Sequence, residues 1–178
     1  MVRIGISVEG LTEERFVKTV LCLYLADMQI YITAVSMDGV VNIDKVRNEV
    51  KKIAFSFDYV TTLYDFYGFS RKEEGVTKES LQRRLVDAMH ETIRERFIPY
   101  VQMYEFEGLL FSSPEVIAIA LNQEQLNEWA AEILNEFNHN PESINNSVET
   151  APSKRLEYNP TYRKSTHGPD IAKEIGLK

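Results

Sequence analysis

Apolar and polar residues alternate at the start of the chain. Apolar, β-branched side chains occupy every second position from Val2 to Val8, which predicts a β-strand. Residues 13–26 then carry a helical stripe of apolar positions, with Thr12 placed to cap the helix. A strand, a tight turn and a helix therefore meet at Glu9 and Gly10, and the Glu9 carboxylate stands at the carboxyl end of the strand.

The same patterns recur along the next hundred residues. Stretches rich in β-branched and aromatic residues predict further strands at residues 29–37, 59–64 and 98–104. Helical periodicity predicts helices between them, at about residues 42–55 and 78–97. Strands and helices that alternate in this way predict an α/β fold, with a mainly parallel four-stranded sheet flanked by helices.

Beyond about residue 105 the alternation ends and the pattern becomes helical and irregular. Helices are predicted at residues 114–121, 124–137, 152–156 and 170–175, a turn or short helix at 106–111, and irregular segments at 138–150 and 158–166. We therefore expect a single domain overall. Residues 1–112 form its α/β core, and residues 113–178 form a helical and irregular extension packed on that core.

Charge and composition narrow the class of protein. The chain has 178 residues and a net charge of −7, so a broad basic face for nucleic acid is not expected. Contact with a polyanion would then be local or made through a metal ion. No apolar run reaches the ~18 residues of a membrane span, and Cys22 is the only cysteine, which excludes an internal disulfide. These features predict a cytoplasmic protein with no membrane association.

Acidic residues follow three of the predicted strands. Glu9, Asp65 and Glu105 stand at strand ends, and Glu107 comes two residues after the last of them. Right-handed crossovers between parallel strands would bring these ends to one edge of the sheet. Mg²⁺ prefers carboxylate oxygens, and such a site can activate water next to a phosphoryl group. For each residue taken alone, the alternative is an ordinary solvated loop acid.

Two of these strand ends resemble the Toprim domain of topoisomerases, primases and OLD-family nucleases. The resemblance rests on Val8-Glu9-Gly10 and on Asp65, although Tyr67 stands where the family has a second aspartate. The chain is more closely similar to an uncharacterised Toprim-like bacterial family related to the toxin or nuclease subunit of the PARIS phage-defence system. The stretches that carry this similarity are Val8–Glu13, Tyr64–Phe69, Tyr104–Phe111, Ala151–Leu156 and His167–Pro169.

The resemblance implies a Toprim-like Rossmannoid fold and an endonuclease that hydrolyses RNA or DNA phosphodiesters with Mg²⁺ or Mn²⁺. It implies catalytic roles for Glu9, Asp65 and Glu105, and coordination of the metal by these three residues together with Glu107. It also implies a role in phage defence or as a toxin, with an ATPase partner of the ABC or OLD type.

Several other side chains are candidates to assist the carboxylates. Four basic residues could contact phosphates of a nucleic acid, or could form a solvated basic patch: Lys154, Arg155, Arg163 and Lys164. Three further residues could support the site without touching the metal: Glu13, Tyr67 and His167.

A second class of function is also open at this point. Tyr67 in place of an acid, together with the acidic composition, favours a non-catalytic regulatory or assembly subunit on a degenerate Toprim fold. Such a subunit would bind an ATPase or a second copy of itself as a homodimer. A small-molecule phosphohydrolase would use the same carboxylates, so the sequence leaves that alternative open as well.

Overall fold

The computed structural model of the protein describes residues 1–37, 39–70, 72–144 and 149–177. The chain divides into two compact units, Met1–Met103 and Tyr104–Lys178. Within the described residues, no helix has the length and apolar character needed to cross a lipid bilayer. The arrangement of residues 1–112 as a core and 113–178 as an extension packed on it stays a prediction.

A parallel β-sheet forms the centre of the first unit. Its elements are β1 (Val2–Val8), α1 (Leu11–Phe16), a π-helical turn (Val17–Leu21), α2 (Cys22–Ala26), β2 (Ile30–Ser36), α3 (Ile43–Ile53), β3 (Tyr59–Asp65), α4 (Lys78–Asp87), α5 (Glu91–Arg94), β4 (Phe97–Ile98) and β5 (Val101–Gln102). The strand order is β2-β1-β3-β4, β5 also pairs with β3, and every pair is parallel. The predicted α/β fold with a mainly parallel sheet is confirmed.

The fourth predicted strand, residues 98–104, forms two short strands instead of one. Pro99 lacks a backbone N–H and cannot donate to a β-ladder, which explains the break between β4 and β5. The Thr62 hydroxyl bridges the gap, because it donates to the Tyr100 carbonyl at 2.7 Å and accepts from the Tyr100 N–H at 3.0 Å. The sheet therefore has five strands where the sequence predicted four.

Among the described residues of the first unit, two apolar clusters hold the helices against the sheet. The larger one joins α3 and α4 to β3, and its fully buried members include Val50, Leu85 and Tyr64. The smaller one joins the helical segment after β1 to β1 and β2 through Val17, Val8 and their neighbours. Because strands and helices bury their apolar faces together, the direction of each strand end is fixed by this packing.

The helix after β1 begins earlier than predicted. α1 starts at Leu11 with Gly10 as its N-cap, so the prediction that Thr12 caps this helix is wrong. Thr12 lies inside the first turn and is buried. The Gly10 N–H instead donates to Glu13 Oε2 at 3.1 Å, so a side chain of the first helical turn reaches back to the cap.

The prediction of one long helix at residues 78–97 is also wrong. The structure has two helices in this region, α4 and α5, with a break between them. The His90 side chain accepts a hydrogen bond from the Thr92 N–H and caps α5. Arg94 stabilises the break, since its Nε donates to the Met89 carbonyl at 2.9 Å and its NH2 donates to the Asp87 carbonyl at 2.8 Å. The stripe of apolar residues at steps of four therefore continues across a turn.

The second unit is mainly helical. Its elements are a 3₁₀-helix (Phe106–Ser112), α6 (Pro114–Leu121), α7 (Gln125–Glu136), a 3₁₀-helix (Pro141–Ser143), α8 (Pro152–Glu157) and α9 (Lys164–Ile175). The prediction that the last helix covers only residues 170–175 is wrong, because α9 starts six residues earlier and contains Pro169. Part of the loop predicted at residues 138–150, residues 145–148, lies outside the described residues.

Candidate functional site

The ends of β1 and β3 form the carboxyl edge of the sheet in the first unit. The two strands are parallel neighbours, with Val8 opposite Leu63. Glu9 therefore follows β1 at the same edge where β3 ends with Asp65. The structure places two of the predicted acids at adjacent strand ends, which is where α/β proteins commonly bind ligands.

A turn at residues 65–69 leaves β3 and meets the Glu9 carboxylate. The Gly68 N–H donates to the Asp65 carbonyl at 3.0 Å, which closes the turn. A Cβ atom at Gly68 would lie 2.8 Å from Glu9 Oε2 and 3.2 Å from Oε1, whereas real Cβ atoms essentially never come within 3.0 Å of such a neighbour. Only glycine therefore permits this approach of the carboxylate to the backbone. We call this arrangement the Glu9–Gly68 contact.

Hydrogen bonds on both sides hold the turn in place. The Phe66 N–H donates to the Gln102 carbonyl at 2.7 Å, and the Ser70 N–H donates to the Val41 carbonyl at 2.9 Å. Within the turn region, Lys72 Nζ donates to the Phe69 carbonyl at 2.6 Å. The surface against which Glu9 packs is therefore an ordered part of the sheet edge, unlike an ordinary exposed loop.

A buried polar pair lies in the strands that lead to this edge. Tyr64 is fully buried, and its hydroxyl shares a hydrogen bond of 2.5 Å with Ser7 Oγ. Burial raises the pKa of the Tyr64 hydroxyl above its ordinary value, and the negative charges of Glu49 and Glu9 raise it further. Tyr64 is therefore a neutral structural partner at neutral pH, and its hydroxyl keeps its proton near the Glu9 charge.

The two residues expected to support the site from this unit have different environments. Glu13 is buried and accepts the hydrogen bond from the Gly10 N–H, so it orders the turn directly after Glu9. Tyr67 is 59% exposed, and its ring packs edge-on against Phe66 with a centroid distance of 5.4 Å. Glu13 thus has a geometric role beside the site, whereas Tyr67 presents an aromatic ring to solvent.

The acids predicted from the fourth strand end, Glu105 and Glu107, lie in the second unit. Glu105 directly precedes the 3₁₀-helix, and its Oε2 accepts a hydrogen bond of 2.8 Å from the Ser153 N–H. Ser153 occupies the first turn of α8, where backbone N–H groups lack helical partners. Glu105 therefore caps α8 from a distant part of the sequence.

This cap gives a stability prediction. We expect Glu105→Ala to lower the free energy of unfolding by about 1–2 kcal/mol, because a charged acceptor of a buried backbone N–H is lost. Urea denaturation followed by circular dichroism measures the effect. Glu132→Ala is the control, since Glu132 is exposed on α7. Equal stability of Glu105→Ala and the control would contradict the capping role.

Glu107 is fully buried in the second unit. Its Oε1 lies 3.1 Å from Lys164 Nζ, which forms an ion pair without hydrogen-bond geometry. Neither carboxylate oxygen receives a hydrogen bond from any described residue. Burial raises the pKa of Glu107, and the positive charge of Lys164 lowers it in part. Glu107 is therefore a costly buried group that depends on Lys164 for compensation.

Tyr162 is a second buried polar group in this unit. It is 3% exposed, and its hydroxyl has no hydrogen-bond partner among the described residues. Burial raises the pKa of the hydroxyl well above its ordinary value, and the Glu107 charge is the next contribution. We refer to Glu107 and Tyr162, together with the partly exposed Lys164, as the buried polar cluster of the second unit.

The basic residues predicted to contact phosphates all have partners inside the second unit. These partners are Glu157 for Lys154 (2.7 Å), the Thr150 carbonyl for Arg155 (2.7 Å), the Pro160 carbonyl for Arg163 (2.7 Å) and Glu107 for Lys164 (3.1 Å). His167 Nδ1 accepts a hydrogen bond of 2.8 Å from the Arg163 N–H and thereby caps α9. These side chains therefore have partners within the second unit, and their contacts to phosphates stay predictions.

The first unit provides two of the carboxylates that were predicted to bind a metal ion. Mg²⁺ takes hard oxygen ligands and keeps several waters, so one or two carboxylates are a sufficient protein contribution. Glu9 and Asp65 provide that chemistry at adjacent strand ends, and Gly68 leaves room for the carboxylate. In the described part of the chain, no group of three or more His, Cys, Asp or Glu side chains is arranged to hold a metal ion.

Comparison with known proteins assigns the family. The family described as a domain of unknown function, DUF4276, matches residues 8–178. The chain belongs to this family. No curated protein matches the DUF4276 chain. Among solved structures, two structures of the C-terminal region of the Xanthomonas campestris pv. campestris OLD protein are similar to it.

The structural likeness to the OLD protein is distant. The structure phased with mercury has a TM-score of 0.45 and 16% sequence identity, over 95% of this chain and 85% of that one. The structure phased with iodine has a TM-score of 0.45 and 17% identity, over 98% of this chain and 88% of that one. TM-scores below 0.5 say nothing about what this DUF4276 chain does.

Sequence reasoning missed three residues that the structure makes important. Gly68 is required by close packing, and a glycine three residues after a strand-end aspartate was the available signal. Ser153 and Tyr162 contact or neighbour the acids of the second unit only because distant segments fold together. No local pattern marks these two residues, since Ser153 is 48 residues from Glu105 and Tyr162 is 55 residues from Glu107 in the sequence.

Proposed function

We propose that this DUF4276 protein is a divalent-metal-dependent nuclease that hydrolyses phosphodiester bonds in RNA or DNA. The observation that carries the proposal is the Glu9–Gly68 contact, which seats a carboxylate at the strand end next to Asp65. Carboxylate oxygens from two separate segments, completed by water, are a donor set that Mg²⁺ or Mn²⁺ accepts. The sequence resemblance to Toprim-like nucleases at Val8-Glu9-Gly10 supports the same reading.

The chain's own contribution is to place and fix charge. A bound divalent ion would supply positive charge for a phosphoryl oxygen and would lower the pKa of a water molecule. Glu9 and Asp65 are the residues that would hold it. The hydrogen bonds of the turn at residues 65–69 keep the strand end ordered, so little reorganisation of Glu9 is needed when substrate binds.

The wider biological role follows from the sequence resemblance alone. It supports a function in phage defence or as a toxin, with nucleic acid as substrate and an ATPase of the ABC or OLD type as partner. The basic residues of the second unit would contribute phosphate contacts in this proposal. Among these residues, Lys154 is 53% exposed beside Glu157 and is accessible to a phosphate.

A non-catalytic regulatory or assembly subunit is the second candidate. The specific observations in its favour are that Glu105 caps α8 and that Glu107 is buried with Lys164. Each of these acids has a structural task within the second unit, and Tyr67 replaces a further acid. A protein of this kind would bind a partner through the same fold without hydrolysing nucleic acid.

One titration separates the two candidates. We expect Mn²⁺ to bind the wild-type protein in isothermal titration calorimetry, and Glu9→Gln to weaken binding roughly tenfold or more, because the variant removes a charged ligand. Cleavage of single- and double-stranded RNA and DNA is measured in parallel. The control is Glu14→Gln, which makes the same charge change on α1, where Glu14 pairs with Lys18.

Each outcome has a defined meaning. Loss of both metal binding and cleavage in Glu9→Gln, with Glu14→Gln unchanged, supports the nuclease. Metal binding by the wild type without cleavage of any substrate supports the regulatory subunit. Mn²⁺ binding that is the same in Glu9→Gln and wild type would refute the site at the carboxyl edge of the sheet.

A further inference from the structure

A groove opens between α3 and the connection from α4 to α5 in the first unit. Its volume is about 700 Å³, and its lining includes Arg47, Asn48, Lys51, Phe55, Met89 and His90. It lies towards the amino-terminal edge of the sheet, since α3 and Phe55 directly precede the start of β3. The carboxyl edge with Glu9 is at the other end of the strands. We call it the α3 groove.

The polar lining of the α3 groove is positively charged. Arg47 and Lys51 project from successive turns of α3, and no acidic side chain lines the groove among the described residues. Arg47 has one exposed partner, Asp44, at 3.1 Å, and such a surface ion pair exchanges readily for another anion. The protein as a whole has a net charge of −7, so this patch has the sign opposite to the net charge of the chain.

His90 adds a further hydrogen-bond donor to the same wall. Its Nδ1 accepts a hydrogen bond from the Thr92 N–H at 3.3 Å, so Nε2 carries a proton. The available ring nitrogen is therefore a donor. Together with the Asn48 amide, the groove offers hydrogen-bond donors and cations, which are the groups that recognise phosphate oxygens.

An exposed aromatic ring completes the α3 groove. Phe55 lies in the turn that follows α3, and its side chain is 68% exposed. The Arg96 guanidinium lies 5.7 Å from the centroid of its ring and covers part of it. The buried residues Met89 and Ile93 form the floor below. The groove thus combines an apolar floor, a largely exposed aromatic ring and cations.

We propose that the α3 groove binds single-stranded nucleic acid, with a base stacked on Phe55 and the neighbouring phosphates against Arg47 and Lys51. Aromatic stacking next to a basic track is the general chemistry of single-strand binding. An acidic peptide would pair with the charges of Arg47 and Lys51, but its side chains would not stack on the ring of Phe55. Strands of seven residues at ~3.3 Å each separate the two sheet edges by roughly 20 Å, so a bound strand could extend beyond this groove.

The inference deepens the proposed nuclease function, but it is tested without catalysis. Fluorescence anisotropy of labelled oligo-dT and oligo-U of twelve nucleotides is measured in EDTA, so no cleavage occurs. We expect Phe55→Ala to weaken binding about tenfold, in line with the loss of one stacked base. The Arg47→Ala/Lys51→Ala double variant should weaken binding and reduce the slope of log affinity against log salt concentration by roughly one to two.

Matched controls come from the same helix. Lys52→Ala makes the same charge change as Lys51→Ala, but Lys52 pairs with Glu49 outside the groove and should leave affinity unchanged. Phe55→Trp should retain binding, which shows that Phe55→Ala acts through the ring. A labelled twelve-residue glutamate peptide tests the charge alone, and we expect it to bind more weakly and without dependence on Phe55.

Several results would overturn the proposal. These are absence of oligonucleotide binding by the wild type, equal losses in Lys51→Ala and Lys52→Ala, or unchanged binding in Phe55→Ala. Equally tight binding of the glutamate peptide would also overturn it. Because oligonucleotide binding is measured in EDTA and metal binding is measured by Mn²⁺ titration, failure of the metal site and failure of the α3 groove give different results.

Discussion

Gly68→Ala is expected to lower both the affinity for Mn²⁺ and the rate of nucleic acid cleavage, the latter by about a hundredfold. The new Cβ would lie 2.8 Å from Glu9 Oε2, so the carboxylate must move away from the turn at residues 65–69. The turn itself cannot yield easily, because the Gln102 and Val41 carbonyls hold it on both sides. In the proposed nuclease, displacing the Glu9 carboxylate by about 1 Å costs of the order of a hundredfold in rate.

The neighbouring glycine provides a matched control for Gly68→Ala. A Cβ at Gly10 would meet its nearest neighbour, Glu13 Oε2, at 3.7 Å, which is ordinary van der Waals contact. The φ angle of Gly10 is −159°, which any residue adopts. Gly10→Ala should therefore retain metal binding and cleavage. Mn²⁺ affinity and single-turnover cleavage are the measurements, and wild-type behaviour of Gly68→Ala would show that the Glu9–Gly68 contact is not needed.

Lys164→Met is expected to lower the free energy of unfolding by about 3 kcal/mol at neutral pH. The variant leaves the Glu107 carboxylate buried without its compensating charge, and breaking a buried ion pair costs roughly 3–5 kcal/mol. We expect the lower end of this range of free energies. The Glu107 side chain is 0% exposed, but the Lys164 side chain is 39% exposed, so water already screens part of the interaction. Urea denaturation at several pH values measures the effect.

The pH dependence of the Lys164→Met effect follows from Glu107. Burial raises the pKa of Glu107 above 4.5, and removing Lys164 raises it further. The folded state then holds the proton more tightly than the unfolded state. Protonation of Glu107 therefore contributes to the free energy of unfolding. This contribution is fully present below pH 4.5 and is lost as the pH rises through the pKa of Glu107 in the folded state. Lys164→Met should therefore lower the free energy of unfolding less at acidic pH than at neutral pH.

Two further variants check this interpretation of the buried polar cluster. Glu107→Gln/Lys164→Met removes both charges and should recover most of the stability lost in Lys164→Met. Lys154→Met disrupts an exposed ion pair with Glu157 and should leave the free energy of unfolding nearly unchanged. Equal losses in Lys164→Met and Lys154→Met would show that Glu107 does not depend on Lys164.

Local patterns predicted most of the first unit correctly. The alternating pattern from Val2 to Val8 predicted a strand, and β1 has these bounds. The helix that starts at residue 43 and the strand that starts at Tyr59 also form where they were expected. The long helix at residues 78–97 failed because the apolar stripe continues through the break at His90. Periodicity reports which side chains are buried, but it does not report a turn that preserves the same buried face.

The candidate site was predicted in part. Glu9 and Asp65 lie at adjacent strand ends because parallel strands with right-handed crossovers end at one edge. The sequence also identified Glu105 and Glu107 as acids of interest, yet their partners are Ser153 and Lys164. Those contacts join segments about fifty residues apart, and their formation depends on packing that no short motif encodes. Their proposed role as metal ligands stays a prediction.

The sequence by itself determined the α/β class, the parallel sheet and the strand-end position of Glu9. These features depend on the spacing of apolar residues and on chain direction, which are local properties. Only the tertiary structure decided that Gly68 admits the Glu9 carboxylate, and that Phe55 stays exposed beside Arg47 and Lys51. Both depend on distances between segments that are remote in the chain, and such distances are fixed when the core packs.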